Sequence, residues 1–195
     1  LMGVLAERSG ITEEVFRAAD VWLRAMRGGL YQAVVVGSAI FAAISGSGPA
    51  TVAAIGALLF PAMLREGYRP SFSAGLVASA GSLGVIIPPS IPMVIYATTA
   101  NVSVTKMFMA GVIPGLLIGL ALILYAWLQS RADGQKPSPD RVTGREALAI
   151  LWDAKWALFV PIIILGGIYG GVFTPTEAAA VGVVYGLIVG LLIYR

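Results

Sequence analysis

Two apolar stretches, YQAVVVGSAIFAAI (Tyr31–Ile44) and ATVAAIGALLFPAML (Ala50–Leu64), are joined by the small-residue tip SGSGP (Ser45–Pro49). Each is shorter than the ~20 apolar residues that a spanning helix needs, and the tip holds two glycines and a proline. The pattern predicts a re-entrant hairpin that reaches roughly mid-membrane and returns. Irregular backbone at that depth is tolerated only where it is buried in protein or lines a cavity, because each unpaired amide in hydrocarbon costs several kcal/mol. The tip is therefore the first candidate for function.

Working outward, the rest of the chain agrees with a membrane setting. Its 195 residues are 58% hydrophobic and 12% charged, with a mean hydropathy of +0.88, against about 25% charged residues in soluble domains. Tyr31–Leu64, Pro70–Thr105 and Met107–Leu128 contain no Asp, Glu, Lys or Arg. The pI near 9.4 does not point to nucleic acid, since the thirteen Lys and Arg residues fall between the apolar blocks rather than along one face. Cysteine and histidine are absent, which excludes disulfides, thiolate or imidazole metal sites, Cys nucleophiles and His relays. The first residue is not Met, and Leu1–Ala6 reads as the end of an apolar segment rather than a signal peptide. A fragment of a longer protein is expected.

Residues 1–29 read as the end of a membrane segment followed by an interfacial amphipathic helix. Ile11, Val15, Ala18, Trp22 and Met26 share one face, Thr12 is the expected N-cap, and Gly28-Gly29 the expected stop. The hairpin occupies residues 30–65 and a discontinuous transmembrane helix residues 71–99. The middle of the latter, Gly81–Pro92, carries two glycines and three prolines, and each proline removes a backbone donor and clashes with the preceding turn. Residues 107–128 form a whole transmembrane helix that Pro114 can kink. Residues 129–155 make a cytoplasmic loop with a short helix at Glu146–Trp152, and residues 156–172 and 178–194 are two further spans. Gly111, Gly115 and Gly119, and likewise Gly182, Gly186 and Gly190, repeat at i+4 and are expected to pack against neighbouring helices.

Charge fixes the orientation but not re-entrance, since two full spans in place of the hairpin would give the same parity. If the hairpin enters and leaves on one face, Arg8, Arg17, Arg24, Arg27, Arg65, Arg69, Arg131, Lys136, Arg141, Arg145, Lys155 and Arg195 share the cytoplasmic side and only Lys106 lies opposite.

A hairpin beside a broken span is how secondary transporters build sites: half-helix N-termini offer amides to anionic groups, while half-helix C-termini and unwound carbonyls coordinate Na⁺. The candidate Na⁺ ligands are Ser45, Gly46 and Ser47 at the tip and Gly81 and Gly84 in the broken span. The candidate substrate contacts are Ser47, Pro49, Ala50 and Thr51 with Pro88, Pro89 and Ser90. Tyr96, Thr98, Thr99 and Asn101 read as a solvated far end. Thr174-Pro175-Thr176-Glu177 fits a capping box with Pro at the first helical position, so Glu177 is assigned to structure rather than coupling.

The segment Gly46–Thr51, the Gly67-Tyr68-Arg69-Pro70 turn, the Gly81–Pro92 stretch and Phe173–Gly182 together resemble the large membrane subunit of tripartite ATP-independent periplasmic (TRAP) transporters, along nearly the whole chain. The resemblance implies an all-α polytopic membrane protein, part of an inverted-repeat, elevator-type ion transporter fold, in the bacterial inner membrane. It implies Na⁺-driven import of organic acids such as C4-dicarboxylates or sialic acid. The partners it implies are a small membrane subunit and a soluble periplasmic substrate-binding protein. By the same pattern the hairpin and the broken helix belong to the mobile transport domain, residues 178–194 begin the scaffold of a second repeat, and half of the site lies outside this chain.

The alternatives are a stand-alone Na⁺-coupled dicarboxylate or anion carrier of similar architecture and, more remotely, a channel lined by re-entrant carbonyls. An intramembrane enzyme would need a nucleophile with a base, or an acid pair, in the membrane. The apolar blocks supply neither.

Overall fold

The computed structural model describes residues 10–135 and 144–193. Leu1–Ala6, Arg8, Lys136, Arg141, Tyr194 and Arg195 lie outside the described residues. Among the described residues there are nine helices: α1 (Ile11–Leu23), α2 (Gly29–Ser45), α3 (Gly48–Arg65), α4 (Pro70–Gly81), α5 (Leu83–Ile86), α6 (Ile91–Thr99), α7 (Val104–Ala132), α8 (Gly144–Tyr169) and α9 (Pro175–Leu192). The molecule is an all-helical polytopic membrane protein.

The first helix of the hairpin, α2, is the hub of the bundle and packs against α1, α3, α4, α5, α7 and α8. Its sequence explains this position. A helix that is apolar on every side has no face to give to water and is buried all round, and most of α2 is buried, from Gly29 to Ile44. Its one amide side chain, Gln32, donates to the Ile123 carbonyl of α7 at 3.3 Å.

The hairpin helices run further than the apolar stretches that predict them, because Gly29-Leu30 starts α2 and Arg65 finishes α3. The irregular tip shrinks to Gly46-Ser47. By length and composition α3 alone could cross a membrane, as could α7, α8 and α9, whereas α2 is shorter. Segments Pro70–Ile86 and Ile91–Thr99 form one bent pair with a 41° kink. The bend sits at Ile87–Ser90, where Pro88 and Pro89 supply no amides and are joined by a cis peptide.

Several expectations are corrected. Thr12 does not cap α1: the helix starts at Ile11 behind Gly10, whose φ is 76°, and the Thr12 hydroxyl is buried without a partner. Much of the apolar face of α1 is also covered by protein. Ile11, Val15, Phe16 and Ala18 are buried, and α1 is covered by α2 and α8, with the Phe16 ring against Gly37. Trp22 and Met26 remain exposed, and α1 stops at Leu23, before Gly28. Further along, the short helix expected at Glu146–Trp152 and the span expected from Trp156 form one continuous α8, because Asp153 and Lys155 interrupt hydropathy without interrupting helix geometry. Gly119 meets nothing within 4 Å, unlike Gly111, Gly115 and Gly182.

One end of the bundle gathers the turns that charge assigns to the cytoplasm. Tyr31 stands edge-on to Tyr68 at 4.6 Å and to Phe72 at 4.8 Å, and Phe72 leans on Tyr125 at 5.4 Å. Asp133, just past α7, accepts from Gln129 at 2.9 Å and from the Tyr31 hydroxyl at 3.5 Å, and pairs with Arg69 at 3.9 Å. The Ser130 hydroxyl lies 3.3 Å from the Arg27 carbonyl. The base of the hairpin is thereby tied to the end of α7.

Candidate functional site

The two irregular points of the fold touch. The amide of Ile91, first residue of α6, donates to the Gly46 carbonyl at the hairpin tip at 3.0 Å. Ile91 would otherwise be an orphan donor of a helix N-terminus. Ser90 cannot serve α6 as a side-chain cap, since its hydroxyl turns back to the Val85 carbonyl at 2.6 Å and closes the break. Gly46 itself ends α2 in the left-handed region (φ 62°), and its amide returns to Ala42 at 2.8 Å.

Small residues make this contact close. A Cβ on Gly46 would stand 2.5 Å from the Pro89 carbonyl oxygen. One on Gly84 would stand 2.7 Å from the Ser47 carbonyl oxygen and 2.8 Å from the Thr51 hydroxyl, and one on Gly81 would enter the Val52 side chain. The expected Na⁺ ligands Gly81 and Gly84 are therefore helical residues that let the tip approach. Ser45, Gly46 and Ser47 lie at the tip beside them.

The tip hydroxyls form a closed ring whose proton directions follow from chemistry. Thr51 has one hydroxyl proton and lies 2.8 Å from the Ser47 carbonyl, which can only accept, so Thr51 donates there. Ser45, 3.2 Å from Thr51, must then donate to it, and the Ser47 amide donates to Ser45 at 3.4 Å. That amide would otherwise extend α2 onto Ala43. With their protons committed, Ser45 and Thr51 each keep a free lone pair. Ser47 differs, for its hydroxyl oxygen accepts from the Ala50 amide at 3.5 Å as the N-cap of α3 while its proton remains available.

The remaining predicted contacts are placed as follows. Pro49 is exposed and has no amide, whereas Thr51 is fully buried. The amides of Ala50 and Thr51 both go to Ser47, the latter to its carbonyl at 3.0 Å. They are not free anion donors. Pro88 and Ser90 are buried and Pro89 half-buried in the break.

A cavity of about 280 Å³ opens beside the junction. Ser45, Gly46, Pro89 and Ser90 form its polar side, and Ile44, Ile91, Val94 and Phe108 continue it. Its far wall is Ile164 and Ile168 of α8 with Pro175, Ala179 and Val183 of α9. That wall escapes sequence reading because nothing in an apolar helix marks the residues that face a cavity. The Ser45–Thr51 pairing was within reach, as one hydroxyl ends α2 and the other sits in the first turn of α3. Among the described residues no group of three or more His, Cys, Asp or Glu side chains could hold a metal ion, so a cation here would meet hydroxyl and carbonyl oxygens, the ligands that suit hard ions. At the start of α9, Thr174 and Glu177 form the expected capping box: both Thr174 donors reach the Glu177 carboxylate at 2.8 Å, and the Glu177 amide returns to the Thr174 hydroxyl at 3.3 Å.

The sequence matches the family described as "Tripartite ATP-independent periplasmic transporter, DctM component" over residues 1–195. It is 49% identical over 193 residues to the isethionate TRAP transporter permease protein DctMQ of Oleidesulfovibrio alaskensis, covering 99% of this chain and 30% of that protein. It is 47% identical over 195 residues to the C4-dicarboxylate TRAP transporter large permease protein DctM of Pseudomonas aeruginosa, covering all of this chain and 45% of that protein. Against the 2,3-diketo-L-gulonate TRAP transporter large permease protein YiaN of Escherichia coli it is 39% identical over 196 residues, again covering the whole chain and 46% of the relative. The chain thus spans less than half the length of these relatives.

Proposed function

Because the chain belongs to the family of DctM components of tripartite ATP-independent periplasmic transporters, we propose that it forms part of the large permease of a Na⁺-coupled importer of organic acids in the bacterial inner membrane. It is a transport protein and not an enzyme. In this reading a periplasmic substrate-binding protein delivers the acid, a small membrane subunit completes the permease, and the hairpin with the broken span moves as the transport unit of an elevator. The cargo is a small carboxylate or related organic acid, in line with relatives named for isethionate, C4-dicarboxylates and 2,3-diketo-L-gulonate.

The observation that carries the reading is the Gly46–Ile91 hydrogen bond, which joins a hairpin tip to the break of a neighbouring span. Two helix ends meet there among hydroxyls, with carbonyls at the C-terminal end of α2 and a half-helix N-terminus at α6. The hydroxyl ring divides the labour. Ser45 and Thr51, with protons already donated, present lone pairs suited to Na⁺, and the Gly46 carbonyl adds an oxygen. Ser47, whose proton is uncommitted, is suited to donate to a carboxylate.

Reconstitution of the full-length permease with its small subunit and its binding protein tests the proposal. Uptake of a labelled organic acid is expected only with the binding protein present and an inward Na⁺ gradient. Uptake that needs Na⁺ alone would replace it with a stand-alone carrier, and non-saturable flux would replace it with a channel.

A further inference from the structure

The break between α5 and α6 is held from two sides. The hairpin tip lies on one side, through Gly46, Gly48 and Gly84. On the other lies α7, with two buried glycines one turn apart. A Cβ at Gly111 would stand 2.9 Å from the Ile86 carbonyl oxygen and 2.5 Å from Met93 Cε. At Gly115 it would stand 3.0 Å from Ile87 Cγ1, and at Gly119, the next in the row, it would meet nothing within 4 Å. A packing stripe would use all three alike. Here the need for glycine stops where the break stops.

Ile86 ends α5 and Ile87 is the first residue of the unwound segment. Four residues later Ile91 bonds to Gly46, and between them Ser90 closes onto Val85. So short a segment, tied at both ends, has little slack to absorb a push of a few tenths of an ångström at Ile86, since packed cores transmit strain. We propose that Gly111 and Gly115 are positioning residues of the site: their lack of a side chain sets how deeply the break seats against α7, and thereby where Gly46, Ser90 and the hydroxyl ring stand. The inference rests on reading that junction as the ion and substrate site.

The test uses the full-length permease in liposomes, free of other cysteines, with Ala53→Cys near the tip as a reporter labelled by a maleimide. Gly111→Ala is expected to raise the Na⁺ concentration for half-maximal uptake several-fold and to change the labelling rate, with Gly119→Ala matching the parent in both. Gly115→Ala is expected to act in the same direction and to be reversed by Ile87→Ala, which removes the opposing Cγ1. Met93→Ala is expected not to rescue Gly111→Ala, because the Ile86 carbonyl remains. Indistinguishable behaviour of Gly111→Ala and Gly119→Ala overturns the proposal. So does a loss of folded protein with an unchanged Na⁺ midpoint and labelling rate. If the parent's uptake ignores Na⁺, the proposed function fails, while the labelling rates of the two variants still decide the seating.

Discussion

The Ile91 amide and the Gly46 carbonyl, 3.0 Å apart, satisfy at one point the helix ends of two segments that each break the regular membrane pattern. Each break supplies what the other lacks: α2 ends with carbonyls that have no following turn, and α6 begins with an amide that has no preceding one. Glycine at position 46 serves both the left-handed backbone and the close approach of Pro89.

Gly46→Ala is therefore expected to cost more than Gly67→Ala. Both positions have a positive φ, 62° and 76°, which penalises a side chain by ~1–2 kcal/mol. Only Gly46 also faces a backbone oxygen, and a Cβ at Gly67 would meet nothing within 4 Å. Thermal midpoints of the two variants in detergent check this, and equal midpoints would show that the Pro89 contact adds nothing.

Ser45→Ala and Thr51→Val each remove a hydroxyl with a free lone pair. Each is expected to raise the Na⁺ requirement for uptake roughly ten-fold, equivalent to about 1.4 kcal/mol, with Thr51→Ser near the parent. Ser47→Ala is expected to raise the substrate concentration for half-maximal uptake instead. Titrations of uptake against Na⁺ and against substrate separate the two, and a shift of only the substrate curve in all three variants would remove the cation role.

Asp133 holds Tyr31, Gln129 and Arg69 together at the base of the hairpin. Arg69 is mostly exposed and its pairing is long, so the ion pair contributes little. The hydrogen bonds matter more, and Asp133→Ala is expected to lower stability by about 1–2 kcal/mol. Arg69→Ala should cost far less. Unfolding in detergent measures both, and the reverse order would mean the charge pair dominates.

Burial pushes the Tyr68 phenol up to about 12, from ~10 in a free chain. The neutral phenol is favoured in the folded state, so its contribution is complete below about pH 10 and is lost as pH rises through about 12. Comparison of alkaline unfolding with Tyr68→Phe tests this: the variant is expected to lose less stability over that interval, and identical profiles would refute it.

Glu177→Gln keeps a side chain that can close the capping box and is expected to retain Na⁺-dependent uptake. Loss of coupling in a well-folded Glu177→Gln protein would convert this acid from a cap into a functional carboxylate.

The sequence made the architecture legible wherever one residue type forces one geometry. Pro88 and Pro89 cannot donate, so the break was readable at Gly81–Pro92, and the Thr174–Glu177 spacing announced its box. The tip was readable because Ser45–Pro49 has no helix formers. Contacts that depend on a partner were not. Thr12 looks like a cap until Gly10 takes the turn before it, and Gly119 looks like Gly111 until the end of the break leaves it without a neighbour. Gly81 and Gly84 suit cation coordination by composition, yet the tip needs their bareness for approach. Burial of α1 under α2 and α8 was hidden for the same reason, since an amphipathic face reads identically against lipid and against protein.

The cavity beside the junction has two walls of different character. One is backbone and small side chains locked by mutual contact, where a single added methyl collides with a carbonyl. The other, Ile164, Ile168, Ala179 and Val183, is side chain on continuous helices, with Ile164 and Ile168 part of the buried core. A change on the first wall therefore acts through backbone position, and a change on the second through side-chain packing.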